Sequence, residues 1–386
     1  MSDAALPTVA VVLPSQAGFG PRRAGAIGLT VRDHARSTPA YHTLVLGGRQ
    51  SGPVFPNVAF QSVPAPFFVP WPAWARHAIG VFRALRHARP ALIEVHDEPR
   101  IALWLQRRFP AIPVVLFLYD NPFGGRLPNT LKQRRRLLDG LARIVTVSAW
   151  LRDRIMERIE TPVRTPIVVP PCIDFATLPL SGSDAGSAGR PISQRRARLV
   201  LFAGRLVPEK GADLFVSACT SVLPRLPGWR AEIIGAAENK VKSPETPFTR
   251  LLHATADPAG IALLGYRDHP DVMIAMSRAG IVVIPARAPE PSGRVALEAM
   301  ANGAAVICPN EGGLPEITGD AALYASSAEL GAAIRALIED PKRLTALAQA
   351  GLERAALFDS RKIGQWLETV RGRVIAAGGS RQASLR

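Results

Sequence analysis

Between Pro289 and Ile317 the chain reads PEPSGRVALEAMANGAAVICPNEGGLPEI, with Glu290 and Glu298 eight positions apart on either side of a loop-to-helix junction. An apolar run from Ile281 to Ile284 ends at Pro285 and reads as a buried strand. A proline-rich loop follows, and Val295 to Ala301 has the Ala, Leu, Glu and Met content of a good helix former. Ser292, Gly293 and Arg294 therefore fall where a loop enters a helix. Backbone N–H groups lack partners there, and the helix dipole favours an anion. Gly303 reads as the helix stop and Ala304 to Cys308 as the next strand. The pattern suits a phosphorylated, hydroxyl-rich ligand. An ordinary surface loop and helix carrying two glutamates fits the same residues.

Four further clusters sit where strands should end. Leu199 to Ala203 reads as a strand, Gly204 to Gly211 (GRLVPEKG) as a turn, and Ala212 to Val222 as a helix. Arg205 offers a rigid fork and Lys210 a compact charge, so the pair suits a diphosphate; solvated surface cations are the plainer alternative. Near the N-terminus, Val9 to Leu13 reads as a strand, followed by a loop with Gly18, Gly20 and Gly25 and a helix from Ile27 to Arg36. Strand, glycine loop and helix in that order open a doubly wound domain. The glycine spacing is not the dinucleotide fingerprint. Ala91 to Val95 delivers His96-Asp97-Glu98, and Pro110 to Leu118 delivers Tyr119-Asp120-Asn121-Pro122. Ligands bind at strand ends in open parallel sheets, so both are candidate sites.

The segment EPSGRVALEAMANG resembles the Glu-x(7)-Glu motif of retaining glycosyltransferases with the GT-B fold, specifically family 4, and GGLPEI (Gly312 to Ile317) continues the resemblance. The turn after Ala203 is similar to the same family's Gly-Arg-x(4)-Lys-Gly motif. The resemblance covers nearly the whole chain and is strongest from Leu199 to Ile317. It implies an α/β fold of two Rossmann-like, doubly wound domains facing a central cleft, with a C-terminal helix crossing back to the first. The expected division is an acceptor-binding domain over 1–178 joined by the helix 360–377, a flexible linker over 179–197, a donor-binding domain over 198–359, and a disordered tail over 378–386. The linker rests on composition, SGSDAGSAG from Ser181 to Gly189.

The resemblance also implies roles. Arg205 and Lys210, after Gly204, would hold the donor diphosphate, and Gly265, Tyr266 and Arg267 would lie by the nucleobase. Glu298 would accept bonds from the ribose hydroxyls. Glu290 would face the donor sugar, beside Ser292, Gly293, Arg294 and Val295. Glu290, Arg205 and Lys210 form the expected catalytic set, acting by front-face substitution with retention. Gly20, Gly25, His96, Tyr119 and Asp120 would lie toward the acceptor and donor sugar. Two departures stand out: family members commonly have histidine where Tyr119 stands and phenylalanine where Ser292 stands. A phenol, with a pKa of about 10, does not do an imidazole's work near neutral pH.

The remaining features bound the function class. The 386 residues allow two ordinary domains, and the 47% apolar content allows packed cores. No apolar run reaches the length of about 18 residues that a membrane span needs. The N-terminus shows no secretory leader, so a cytoplasmic protein is expected. Cys172, Cys219 and Cys308 are scattered and read as buried apolar residues. No Asp-x-Asp pair occurs, so no metal and no cofactor are expected; the nucleotide sugar is a substrate. The net charge is +16, and Met1 to Leu180 carries 22 Lys and Arg against 11 Asp and Glu. Such a basic half suits an anionic partner. Phe67, Phe68, Trp71 and Trp74 beside Arg76, Arg83, Arg86 and Arg89 would suit the anionic inner membrane face, or would pack inside the domain. No nucleic-acid recognition motif is present.

Together these readings predict a metal-independent retaining hexosyltransferase. It would act from a nucleoside-diphosphate sugar on a saccharide or lipid-linked saccharide acceptor, in lipopolysaccharide or exopolysaccharide assembly. The alternative, motivated by Tyr119, is a catalytically silent GT-B protein that binds nucleotide sugar within an assembly complex.

Overall fold

The computed structural model describes residues 6–64, 71–120, 129–160, 164–179, 197–238, 240 and 242–383. The chain forms two compact units. The first takes the chain up to Gly20, Ala24–Pro170 and the chain from Ser360 onward; the second takes Pro21–Arg23 and Pro171–Asp359.

The first unit is built on seven strands, β1 Thr8–Val12, β2 His42–Gly47, β3 Ala59–Ser62, β4 Leu92–His96, β5 Val114–Leu118, β6 Arg143–Thr146 and β7 Ile167–Val168. Their order is β3-β2-β1-β4-β5-β6-β7, and every pairing is parallel. Five helices fill the crossovers: α1 Ala26–Ser37, α2 Ala73–Ala88, α3 Pro99–Arg108, α4 Leu131–Gly140 and α5 Ala149–Met156. Both faces are therefore covered, and β4 and β5 are buried at every position. That is why β5, VVLFL, runs apolar without alternation, while β4, LIEVH, also buries the polar Glu94 and His96. Thr130 starts α4 with a reciprocal capping box to Gln133, and Ser148 caps α5 by accepting from the Leu151 N–H at 3.1 Å. β5 is shorter than the expected run from Pro110, because Pro110 and Pro113 have no N–H to give a ladder.

The second unit repeats the plan with β8 Ala197–Ala203, β9 Arg230–Ile234, β10 Ala262–Leu263, β11 Ala279–Val283, β12 Ala305–Cys308 and β13 Leu323–Tyr324. The order β10-β9-β8-β11-β12-β13, again parallel throughout, is the doubly wound nucleotide-binding order. Its helices are α6 Ala212–Val222, α7 Pro247–Ala256, α8 His269–Arg278, α9 Arg294–Ala301, α10 Leu314–Thr318, α11 Leu330–Glu339 and α12 Pro341–Ala355. Strand residues alternate between two cores: Leu199, Leu201, Val282 and Val306 face one, Val200, Phe202, Ile281 and Ile307 the other.

The last helix, α13 Ser360–Ala383, belongs to the first unit although it follows the second in sequence. Arg371 is its anchor. Its guanidinium forks onto both Glu94 oxygens at 2.8 Å and donates to the Thr38 hydroxyl at 2.7 Å, with both ion-pair partners almost wholly buried. Trp366 donates to the Val168 carbonyl at 3.0 Å.

Several boundaries differ from expectation. α13 continues to Ala383, so the tail expected to be disordered from 378 is helical up to that residue; residues 384–386 lie outside the described residues. The chain changes units at Pro170–Pro171 rather than at 178, because Ile173 and Leu178 are buried in the second unit's core. The expected linker lies almost wholly outside the described residues, as do Phe67, Phe68 and Asn121.

Candidate active site

In each sheet the crossover direction reverses between two central strands, β1 and β4 in the first and β8 and β11 in the second. Loops leaving such a pair part in opposite directions and open a crevice at the strands' carboxyl ends. In the second unit those two loops carry the candidate residues.

The loop after β8 runs through Gly204 and Arg205 into a single 3-10 turn, Pro208–Lys210, and then α6. Gly211 joins turn to helix at φ 69°, in the left-handed region, and a Cβ there would stand 1.9 Å from the Pro285 carbonyl oxygen. Only glycine fits this junction. Arg205 is exposed, and Lys210 is half-buried with its ammonium paired to Glu290 Oε1.

The loop after β11 runs from Ile284 to Gly293, and Gly293, left-handed at φ 62°, leads into α9. The Glu290 carbonyl accepts from the Gly313 N–H at 2.7 Å, which ties this loop to the start of α10. Ser292 and Val295 are half-buried; Arg294 is buried. The N–H groups of Val295 and Ala296 lie in the first turn of α9, where an α-helix offers no intrahelical carbonyl to receive them.

Glu298 is one turn further in and 5% exposed. Its Oε1 accepts from Arg294 Nε at 2.8 Å and bonds His269 Nε2 at 2.9 Å. Burial alone would push this carboxyl up, but the charges and hydrogen bonds of His269 and Arg294 outweigh it, and the pKa falls to about 2. Glu298 is thus a fixed anion. Gly265, at φ 66°, and Arg267 are exposed ahead of α8, and the Gly265 carbonyl accepts from the Gly235 N–H at 3.0 Å. Tyr266 is half-buried, and burial raises its phenol above the ordinary range.

In the first unit Gly20 is buried, where a Cβ would meet the Pro53 carbonyl at 2.1 Å, and Gly25 precedes α1 as its cap residue. His96, at the end of β4, is 1% exposed and stacks on Phe117 with ring centroids 4.6 Å apart. Its Nδ1 bonds the Tyr119 hydroxyl at 2.8 Å, so it stands behind Tyr119 rather than beside solvent. Burial, then the nearby His34 and Arg371 charges, depress its pKa well below the ordinary histidine range and keep the ring neutral. Asp97 Oδ1 accepts from the Tyr119 N–H at 2.9 Å, and Asp97 holds a left-handed backbone at φ 50°. Burial pushes its carboxyl up to about 8, against that hydrogen bond. Asp120 is exposed. Burial also pushes the Cys219 and Cys308 thiols up to about 12, which removes both as thiolate nucleophiles.

The structure thus pairs Lys210 with Glu290 and Arg294 with Glu298, both pairs in the second unit, with Arg205 on the same loop as Lys210. It adds two residues the sequence did not single out, His269 and Arg287, and gives Asp97, until then only a member of a strand-end cluster, a specific partner in the Tyr119 N–H. His269 follows the Gly265-Tyr266-Arg267 loop at a helix start, a position that could have drawn attention to it. Arg287 gave no local signal, because its partners lie more than 70 positions away.

Residues 190–354 match the family model described as glycosyl transferases group 1. This group 1 stretch contains both motif loops and the whole Glu290–Glu298 segment. Among curated relatives, the putative glycosyltransferase YtcC of Bacillus subtilis (strain 168) is 28% identical over 251 residues, 61% of this chain and 60% of that protein. The chain spans less than two thirds of the length of the curated relatives it matches first. Among solved structures, sucrose-phosphate synthase from Thermosynechococcus elongatus superposes with a TM-score of 0.77 at 18% identity, covering 96% of this chain and 100% of that one. Anabaena Alr3699/HepE, in complex with UDP and glucose, gives a TM-score of 0.74 at 19% identity, covering 93% of this chain and 98% of that one. The chain has the two-sheet architecture of GT-B glycosyltransferase structures. Among the described residues, no helix is long and apolar enough to cross a membrane.

Proposed function

We propose that this chain is a family 4 retaining glycosyltransferase that moves a hexose from a nucleoside-diphosphate sugar to a saccharide or lipid-linked saccharide acceptor. The observation that carries the reading is the convergence, at one switch point, of the cations after β8 with the two-glutamate segment after β11. A diphosphate between these loops would meet Arg205, Lys210 and the first-turn N–H groups of α9. Fixed donors of this kind stabilise charge as it develops on a leaving group. Glu298, held through Oε1, would offer Oε2 to the ribose hydroxyls. Lys210 would leave Glu290 for the diphosphate, freeing that carboxylate for the donor sugar's hydroxyls.

In this reading the bond between the anomeric carbon and the diphosphate oxygen breaks while the acceptor oxygen bonds the same face of that carbon. The acceptor's proton passes to the leaving phosphate oxygen. Charge neutralisation by Arg205 and Lys210 makes the reaction metal-independent, so chelator leaves the rate unchanged. The test is to incubate the protein with UDP-, GDP- and ADP-linked hexoses and follow hydrolysis or transfer. Release of nucleotide that falls at least about a hundredfold in Glu290→Ala supports the reading, a loss of the size seen when one electrostatic group is removed.

One observation favours a second reading. Tyr119 stands where the resembling family has histidine, and the neighbouring imidazole of His96 is buried behind it. Tight nucleotide binding without turnover across the donor panel would establish a silent nucleotide-sugar-binding protein instead. For the acceptor, the basic first half and the half-exposed Trp71 support a lipid-linked saccharide at the cytoplasmic membrane face, in lipopolysaccharide or exopolysaccharide assembly. Salt-sensitive co-flotation with phosphatidylglycerol vesicles but not phosphatidylcholine vesicles tests that contact.

A further inference from the structure

Arg287 lies on the loop after β11, three positions before Glu290. Its guanidinium reaches across to the turn that presents Lys210. Nη1 donates to the Pro208 carbonyl at 2.9 Å and to Asp213 Oδ1 at 2.6 Å, while Nη2 bonds Asp213 Oδ2. The Arg287 backbone N–H donates to the Glu209 carbonyl at 2.9 Å. Two positions earlier, the Pro285 carbonyl lies against Gly211, where there is room for no side chain. The stretch 285–287 is therefore fastened to both ends of the 3-10 turn, and that turn's last residue is Lys210.

Arg287 and Asp213 are 39% and 29% exposed, so their charge attraction is largely screened and adds little to stability by itself. What the fork supplies is geometry. Two parallel bonds to a carboxylate and a third to a carbonyl set the turn's orientation in a way one ammonium cannot. The orbit left to Lys210 is then centred on the loop that carries Glu290.

Resting on the donor-binding reading above, we infer that Arg287 is a positioning residue for nucleoside diphosphates. It locks the Lys210 turn to the Glu290 loop so that the cation meets the diphosphate already in place. Asp213 is its anchor. The role belongs to the phosphate end of the ligand and leaves the Glu298 end untouched, which separates it from a general part in folding.

The experiment measures dissociation constants of the full chain for UDP, GDP and ADP and for the matching monophosphates by calorimetry. The nucleotide that binds wild type most tightly is used for the variants. Arg287→Ala is expected to weaken the diphosphate at least tenfold while changing the monophosphate less than threefold, so the preference for the second phosphate collapses. Arg287→Lys should recover only part of it. Asp213→Asn, which keeps the side chain's size, gives an intermediate loss and serves if Arg287→Ala fails to fold. Equal losses for mono- and diphosphate, or none in a variant with wild-type melting behaviour, overturn the positioning role while donor binding stands. If wild type binds no nucleoside diphosphate, the donor-site reading itself falls, and this inference with it.

Discussion

At the scale of single residues, two carboxylates have been moved in opposite directions. Glu298 is depressed from 4.5 to about 2. Its stabilising contribution is fully present above pH 4.5 and is lost as pH falls through about 2. The shift corresponds to about 3 kcal/mol at neutral pH. Glu298→Gln should remove that pH dependence, so the urea midpoints of wild type and variant converge as pH approaches 2. Asp97 is raised from 3.8 to about 8, so the native state holds a proton that the unfolded chain has released. Its contribution is fully present below about 4 and is lost as pH rises toward 8. Asp97→Asn, which tolerates the left-handed backbone at φ 50°, should gain melting temperature over wild type at pH 8 and gain less at pH 5. The different fates follow from partners. Glu298 has the Arg294 guanidinium and the His269 ring as hydrogen-bond partners, whereas Asp97 has an amide and two acidic neighbours, Asp120 and Glu98.

At the scale of elements, the chain joins its parts with contacts that admit few substitutes. Gly211 carries both a positive φ and a carbonyl at Cβ distance, so Gly211→Ala should destabilise the second unit by roughly 2 kcal/mol or more and loosen the Lys210 turn. Faster amide exchange over 205–213 would show the second effect. α13 is joined by a buried ion pair. Arg371→Ala would strand the Glu94 charge in the interior and should cost the first unit about 3–5 kcal/mol. Five of the six tryptophans, all but Trp229, lie in that unit, so denaturant titration followed by fluorescence reads mainly its unfolding. Replacing both partners, Arg371→Met with Glu94→Leu, should recover much of the loss, because no lone charge then remains.

At the scale of the whole molecule, sequence order and structural membership part company. The last helix completes the first sheet's unit, so a chain stopped after Asp359 should lose the first unit's cooperative transition and keep the second's. Nucleoside diphosphates should raise the second unit's melting temperature in proportion to the logarithm of their concentration. The sequence by itself determined a good deal here. Continuous apolar runs marked β1 and β8 ahead of glycine-containing turns and β11 ahead of a proline-rich loop, since strands buried on both faces are largely apolar. The spacing of Arg205, Lys210, Glu290 and Glu298 was legible because each motif lies within one loop and its helix. Strand order, the Arg287 fork, the His269 bond to Glu298 and the Tyr119–His96 contact were decided only by tertiary structure. Each joins residues distant along the chain, and local sequence carries no term for such a meeting. The Glu290–Glu298 segment shows both sides: its residues announce an anion site, while the packing of Glu298 against Arg294 and His269 makes one of its carboxylates permanent.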